Sequence, residues 1–454
     1  MFITFFTPCK GQYHKIFDFT GTSSGDYPYG SLTLSGDTLF GMTYGGGIYG
    51  DGVVFSIRTS GLNFGKLLDF NDTNGAFPLG NLIKSGNTLY GMTPSGGDSG
   101  WGNIFSIQEN GSGYNNLIDF NGNTTGAIPN GSLLLIGNTL YGMTQWASCH
   151  GNLFSIQSNG NNFLDLVVFN TTNAHAPLGS LIASGDTLYG TSYYGGTHGN
   201  GNVFSVHIDG TGYKDLYDFN GSNGSDLQGN LIISGDTLYG MTTSGGTYND
   251  GVVFSIQTNG TRFTRLLDFN DTNGSSPYGS LALSNNLLYG MTPDGGAYGE
   301  GVIFSIRTDG SDYRDLYDFN GTINGKYPYG SLIISGNTLY GMTYWGGVND
   351  EGVIFSFTDS NVATGGFSVR SNTVYISPNP SSGIFTFIIS NSAPRIMNIE
   401  VFDVLGQKVF QETLNSTKGD KTMDLSIQPN GIYLYRIIDI NGNIIGGGKL
   451  VIDK

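Results

Sequence analysis

Three histidines, His150, His175 and His198, fall within one stretch of the chain, with Cys149 beside the first. Imidazole and thiolate are transition-metal ligands, so copper or zinc chemistry is the first possibility to weigh. Their separations are far wider than those of a compact ligand set, so a site requires folding to bring three loops together. A second group is aromatic. Trp101, Trp146 and Trp345, with Tyr44, Tyr194, Tyr248, Tyr298 and Tyr344, stand in loops rich in Gly, Asn and Asp. Indole and phenol rings among amides and carboxylates suit sugars, whose C–H faces stack on aromatic planes while hydroxyls take hydrogen bonds. Packing between neighbouring structural units is the other use open to them. The sequence shows no Ser-His-Asp set, no isolated carboxylate pair and no strand–glycine loop–helix phosphate site, so neither a catalytic group nor a cofactor is expected.

The elements that carry these loops repeat. A Tyr-Gly or Phe-Gly pair begins at 40, 90, 141, 189, 239, 289 and 340, and GSL or GNL begins at 30, 80, 131, 179, 229, 279 and 330. A period near 50 residues marks a repeat architecture. The fifth copy reads as four strands: NLIIS (230–234), TLYGMT (237–242), VVFSIQ (252–257) and RFTRLLDF (262–269). SGD or SGN joins the first two in a tight hairpin, and TNG or TDG the last two. Four strands per copy make a propeller blade.

The copies are offset by one strand. The chain begins with a lone fourth strand, YHKIFDF (13–19), and the seventh copy stops after its third, GVIFSF (352–357). A closed ring accounts for both, because the first strand completes the last blade and hides its edge. The expected fold is therefore all-β: a seven-bladed β-propeller over 13–357, closed by the N-terminal strand. In such a blade the second-to-third loop and the blade-to-blade loop emerge on one face. These are the long, variable segments, and they hold the aromatics and histidines named above. The repeated Met (42, 92, 143, 241, 291, 342) fits a packing role between blades, and the repeated Asp (18, 69, 119, 218, 268, 318) a hydrogen bond to a turn.

Charge narrows the partners. The formal net charge is −16, and residues 371–454 hold seven acidic and seven basic side chains, so the whole imbalance lies on the repeats. Such a surface repels nucleic acid and anionic lipid. Two cysteines give no disulfide framework, and no apolar run reaches transmembrane length. The segment FITFFTPCKG before Gln12 has the look of the end of a signal peptide, so 1–12 is expected to be a truncated signal remnant.

After a linker over 358–373, alternating strands with Pro, Asn and Gly turns predict a small β-sandwich over 374–454. Its SPNPSSGIF (377–385), VFDVLGQKV (401–409), PNGIYLYRI (429–437) and GKLVIDK (448–454) resemble, in order, the type A C-terminal sorting domain of the type IX secretion system of Bacteroidetes-type bacteria. The resemblance implies handling by the type IX machinery and a place on the outer surface of a Gram-negative cell, or release from it. The repeats, with their LYG-T…GG…G-VF text, resemble bacterial extracellular propeller repeats, kelch-like in style. That likeness carries no catalytic residues over. The expectation is a secreted or surface-attached binding protein, for glycan or protein ligands, on the long-loop face. The alternatives are a polysaccharide hydrolase or lyase and a structural coat protein.

Overall fold

The computed structural model describes residues 11–146 and 150–359, and in the C-terminal part 374–377, 381–389, 396–403, 407–415, 421–439, 444–452 and 454. Cys149, most of the expected signal remnant and most of the expected linker lie outside the described residues. The chain divides into two compact units, residues 1–360 and 361–454.

The first unit is a ring of seven four-stranded antiparallel sheets. Strand β1 (Gln12–Asp18) is followed by β2 (Thr33–Ser35), β3 (Thr38–Thr43), β4 (Val53–Arg58) and β5 (Gly65–Asp69), which form blade 1 in that order. Five further blades repeat the pattern. Blade 7 takes Ile333–Ser335, Thr338–Thr343 and Val353–Thr358 and is completed by β1, with Tyr13 opposite Phe357 and Asp18 opposite Val353. The innermost strand is shorter than the sequence predicts: in blade 5 it runs only over Ile232–Ser234, because Gly229 and Asn230 are used at the axis. The fourth strand is shortened likewise, to Thr264–Asp268.

The core lies between blades. Tyr90, Met92 and Ile104 of blade 2 pack on Leu133, Leu140 and Phe154 of blade 3, so each repeated Met fills an inter-blade gap. At the closure, Phe19 after β1 is fully buried with Leu39, Val53 and Phe55 of blade 1 and with Met342 and Ile354 of blade 7. Seven such interfaces close the ring, and the offset strand covers the edge that Val353–Thr358 would otherwise leave open, so blade 7 ends on a fourth strand like the other six.

The second unit pairs a three-stranded sheet (Val374–Ser377, Ile384–Ile389, Lys421–Asp424) with a four-stranded one. The latter has Lys408–Asn415, Ile396–Phe402, Gly431–Asp439 and Ile444–Ile452 in spatial order. Phe385 and Met423 of the first meet Ile399, Val401, Tyr433 and Leu450 of the second in one core. Two sheets sharing one apolar layer make a sandwich.

Candidate ligand-binding face and its axial mouth

The seven GSL/GNL segments converge on the ring axis and explain their own sequence. A Cβ on Gly80 would lie 2.3 Å from the carbonyl oxygen of Gly131, and the same crowding runs Gly30 to Gly80, Gly229 to Gly279, and round to Gly330 on Gly30. Only glycine lets neighbouring backbones approach this closely. The following residue closes a second ring. The Ser31 amide donates to Asn81 Oδ1, Asn81 to Ser132 Oγ, Ser132 to Ser180 Oγ, and Ser180 to Asn230 Oδ1. Asn230 then donates to Ser280 Oγ, Ser280 to Ser331 Oγ, and Ser331 back to Ser31 Oγ, all at 2.5–2.8 Å. A short side chain with an oxygen acceptor is required at each step, so the slot alternates only between Ser and Asn. About 70 Å³ of space remains along this axial segment.

Six of the seven residues before these glycines, Tyr29, Leu79, Asn130, Leu178, Gln228 and Tyr278, line a mouth of about 280 Å³ together with Gln145. One sector is aromatic. Tyr29 stacks on Tyr329 at 5.0 Å, and Tyr278 meets Tyr329 edge-on at 5.0 Å. Tyr344 stands edge-on to Tyr329 and Tyr29, and Tyr27 stacks on Tyr344 at 5.2 Å. Trp345 continues the cluster beside Tyr344 and Tyr327. The other sector holds amides: Asn130 Nδ2 donates to Gln145 Oε1 at 2.8 Å, and Gln228 lies nearby on the rim. Burial and the adjacent phenols of Tyr278 and Tyr344 push Tyr329 up to about 12, with Asp294 and Tyr327 adding to it, and similar causes raise Tyr29, so both hydroxyls stay protonated donors at neutral pH.

Backbone strain supports this rim. Tyr27, Phe77, Ile128, Ala176, Asp226, Ser276 and Tyr327, one per repeat, all hold φ between 52° and 61°. That conformation costs a non-glycine residue roughly 1–2 kcal/mol. It is held by cross-blade hydrogen bonds: the Tyr27 amide donates to Glu351 O, and Ile128 to Trp101 O. Five of them also accept a bond from the residue that follows the LYGMT strand, as Tyr27 O does from the Tyr44 amide, whereas at Phe77 and Ser276 that residue is a proline, Pro94 and Pro293, with no amide to donate.

The residues expected from sequence fall into several rings rather than one. Tyr344 stands edge-on to Tyr29 of the mouth, and Tyr44 packs on Phe77 at 5.1 Å. Trp146, Tyr194 and Trp345 share one repeat position, each paired through its backbone with the strained loop of its own blade. Trp101 lies at a different position, against the next blade's connection at Gly122. Tyr248 and Tyr298 stand exposed near the loop tips. The three tryptophans keep 40–45% of their surface exposed, more than inter-blade packing alone would leave. The repeated Asp anchors these loops: Asp69, Asp119, Asp268 and Asp318 each accept a backbone amide of the Gly-Gly loop. Asp18 of β1 does so for blade 7, from 330 residues away.

His150 and His175 come together, their rings 4.9 Å apart, with Tyr194 5.7 Å from His175. His198 lies instead beside Asp218. Among the described residues no three His, Cys, Asp or Glu side chains form a metal-binding group.

The expectation that no isolated carboxylate pair exists is corrected by the structure. Ring closure brings Asp26 and Glu351 together at the junction of blades 7 and 1, both within 4 Å of one point above Gly21. Burial, then the neighbouring Glu351 charge, raises Asp26 from 3.8 to about 6. Sequence reading missed the pair because its members lie near opposite ends of the repeats. Tyr29, Tyr278 and Tyr329 stand in the blade-to-blade segments, outside the Gly-Gly loops that hold the tryptophans. Their signal was present, as the slot before each axial glycine varies freely among Tyr, Leu, Asn and Gln.

Comparison with known families decides what the ring is. The Gloeobacter/Verrucomicrobia repeat matches residues 2–151, 145–309 and 280–384. The chain belongs to this repeat family. Residues 374–453 match the secretion system C-terminal sorting domain, so this member of the repeat family carries a type IX sorting tail. It is secreted to the cell surface by that route. No helix among the described residues is long and apolar enough to cross a membrane. No curated protein matches the chain.

Among solved structures, the repeat protein is similar to the extracellular domain of a B. thetaiotaomicron protein described as a one-component system. Identity is 14% and the TM-score 0.50, over 97% of this chain and 58% of that one. A second structure, described as the extracellular domain of a hybrid two-component system of B. thetaiotaomicron, aligns at 12% identity and TM-score 0.49, over 98% and 59%. The chain thus spans less than two thirds of either, and at these identities the likeness shows the fold alone.

Proposed function

We propose that the protein is a non-catalytic saccharide-binding module that presents the long-loop face of its propeller outside the cell. The reading divides the chain into a propeller over 13–357, a linker over 358–373 and the sorting domain over 374–454. The observation that carries it is the mouth itself. Tyr29 and Tyr278, bridged by Tyr329, which stacks on the first and meets the second edge-on, stand across about 280 Å³ from the amides of Asn130, Gln145 and Gln228. A sugar ring has one such need on each side: an apolar C–H face to stack and equatorial hydroxyls to hydrogen-bond. Trp146, Trp345 and Tyr194 extend the surface outward, and Trp101, Tyr44, Tyr248 and Tyr298 supply further rings around it.

The test is a screen of neutral oligosaccharides on a glycan array, followed by calorimetric titration of the best binder. Tyr329→Ala and Gln228→Ala should each weaken binding at least tenfold, about 1.4 kcal/mol, with the thermal transition retained. An array with no binder, or a binder indifferent to both substitutions, would refute the reading.

A further inference from the structure

Each of the seven blade junctions sets two residues at equivalent positions, one before the strained residue and one at the end of the preceding Gly-Gly loop, where a backbone hydrogen bond joins the two segments. Around the ring the pairs are Ala76 with Asp51, Ala127 with Trp101, His175 with His150, Ser225 with Asn200, Ser275 with Asp250 and Lys326 with Glu300. Ser275 donates to Asp250 at 3.1 Å, and the two histidine rings are in contact. The seventh pair is Asp26 with Glu351. The scaffold therefore accepts alanine, serine or lysine where Asp26 stands, and nothing in the fold requires two carboxylates to face each other there.

The acid pair lines a cavity of about 510 Å³ whose walls include Tyr27, Tyr44 and Phe77 and whose floor is glycine backbone. Asp26 Oδ1 and Glu351 Oε2 are buried atoms with no hydrogen-bond partner. Tyr27 hydrogen-bonds Glu351, and Tyr344 faces Asp26 from blade 7; no cationic side chain appears among the residues lining the cavity. The other two oxygens, Asp26 Oδ2 and Glu351 Oε1, converge above Gly21, and like charges so placed are a standing penalty that a bound cation removes. A bare metal ion fits poorly, since calcium needs six to eight oxygens and no third ligand joins the pair among the described residues. An organic cation instead uses the aromatic walls as well as the carboxylates.

We propose that this cavity binds an organic ammonium group, seated between Asp26 and Glu351 and flanked by the rings of Tyr27 and Tyr44. The proposal is independent of saccharide binding at the axial mouth. The amine reaches such a surface on an amino sugar or on a lysine side chain, and the chemistry is the same for both.

The test is titration of the full chain near neutral pH with glucosamine and with Nα-acetyl-lysine amide, against N-acetylglucosamine as the neutral control and calcium chloride as the inorganic cation. Either amine should show binding that depends on Asp26 and Glu351, binding of the neutral control at the axial mouth should not depend on them, and the tighter of the two amines identifies the source. Asp26→Asn and Glu351→Gln should each weaken amine binding at least tenfold. In the wild type, affinity should fall as the pH drops below about 6, where Asp26 takes up a proton. The wild-type titration keeps the test decisive if either variant fails to fold. Binding of N-acetylglucosamine that Asp26→Asn and Glu351→Gln weaken as they weaken the amine, displacement of the amine by low calcium, variants that bind the amine normally, or affinity unchanged between neutral and mildly acidic pH would each overturn the proposal.

Discussion

Asp26→Asn should stabilise the protein, and only above mildly acidic pH. The Asp26 carboxyl sits at about 6 in the folded protein against an ordinary 3.8, raised by burial and then by Glu351. Below about pH 4 the side chain is protonated in both folded and unfolded chains, so it contributes no penalty. As pH rises from there the unfolded chain ionises first, and folding stability falls. Above about pH 6 the loss is complete, with a ceiling near 3 kcal/mol from the size of the displacement. Asp26 is only half-buried, and solvent screening reduces the figure to about 1 kcal/mol. For a ring of this size that corresponds to a shift of about 2 °C in the propeller's thermal transition. The assay is calorimetry of the full chain, wild type against variant, at steps from about pH 4 to 7.5. The difference between the two curves isolates this site from Asp51, Asp165, Asp215 and Asp294, which are also raised and tilt the wild-type curve in the same sense. Equal transitions at low pH, diverging in favour of the variant near neutrality, are expected. A difference that does not change with pH, or a variant less stable at neutral pH, would refute the assigned repulsion.

Three further outcomes follow from the ring. Gly80→Ala puts a methyl carbon 2.3 Å from the Gly131 carbonyl, and should cost about 1–3 kcal/mol in urea unfolding. Ser132→Ala strips the acceptor from the Asn81 amide and should cost about 1–3 kcal/mol. Ser132→Asn should recover most of that, because Asn already fills this slot at 81 and 230. Phe19→Ala opens a cavity at the blade 7–blade 1 interface, where Phe19 is fully buried. It should cost about 3–5 kcal/mol and, in hydrogen exchange, expose β1 and its partner Val353–Thr358 before the rest of the ring.

Much of the fold was legible because each blade writes its constraints locally. Alternation, hairpin turns and the surplus first strand follow from short-range rules, and the repeat multiplies each signal seven times. The short innermost strand was harder, because Gly229 and Asn230 look like the start of a strand and are drawn off to the axis by six other copies of themselves. The candidate site was legible only in part. Trp146, Tyr194 and Trp345 announced an aromatic face. That they share one position while Trp101 does not, and that His150 meets His175 while His198 turns to Asp218, depends on which loops become neighbours across a junction.

Read residue by residue, the chain already specifies a seven-bladed ring, the strand that closes it, the face carrying its variable loops and the sorting domain that follows. Those follow from periodicity, which needs no knowledge of distant contacts. Only the tertiary structure decided what stands next to what around the axis. Closure gathers six of the seven residues that precede the axial glycines into one mouth and carries Asp26 to Glu351 across 325 positions of sequence. Such pairs leave no local pattern, because the geometry that joins them belongs to the complete ring and to none of its blades.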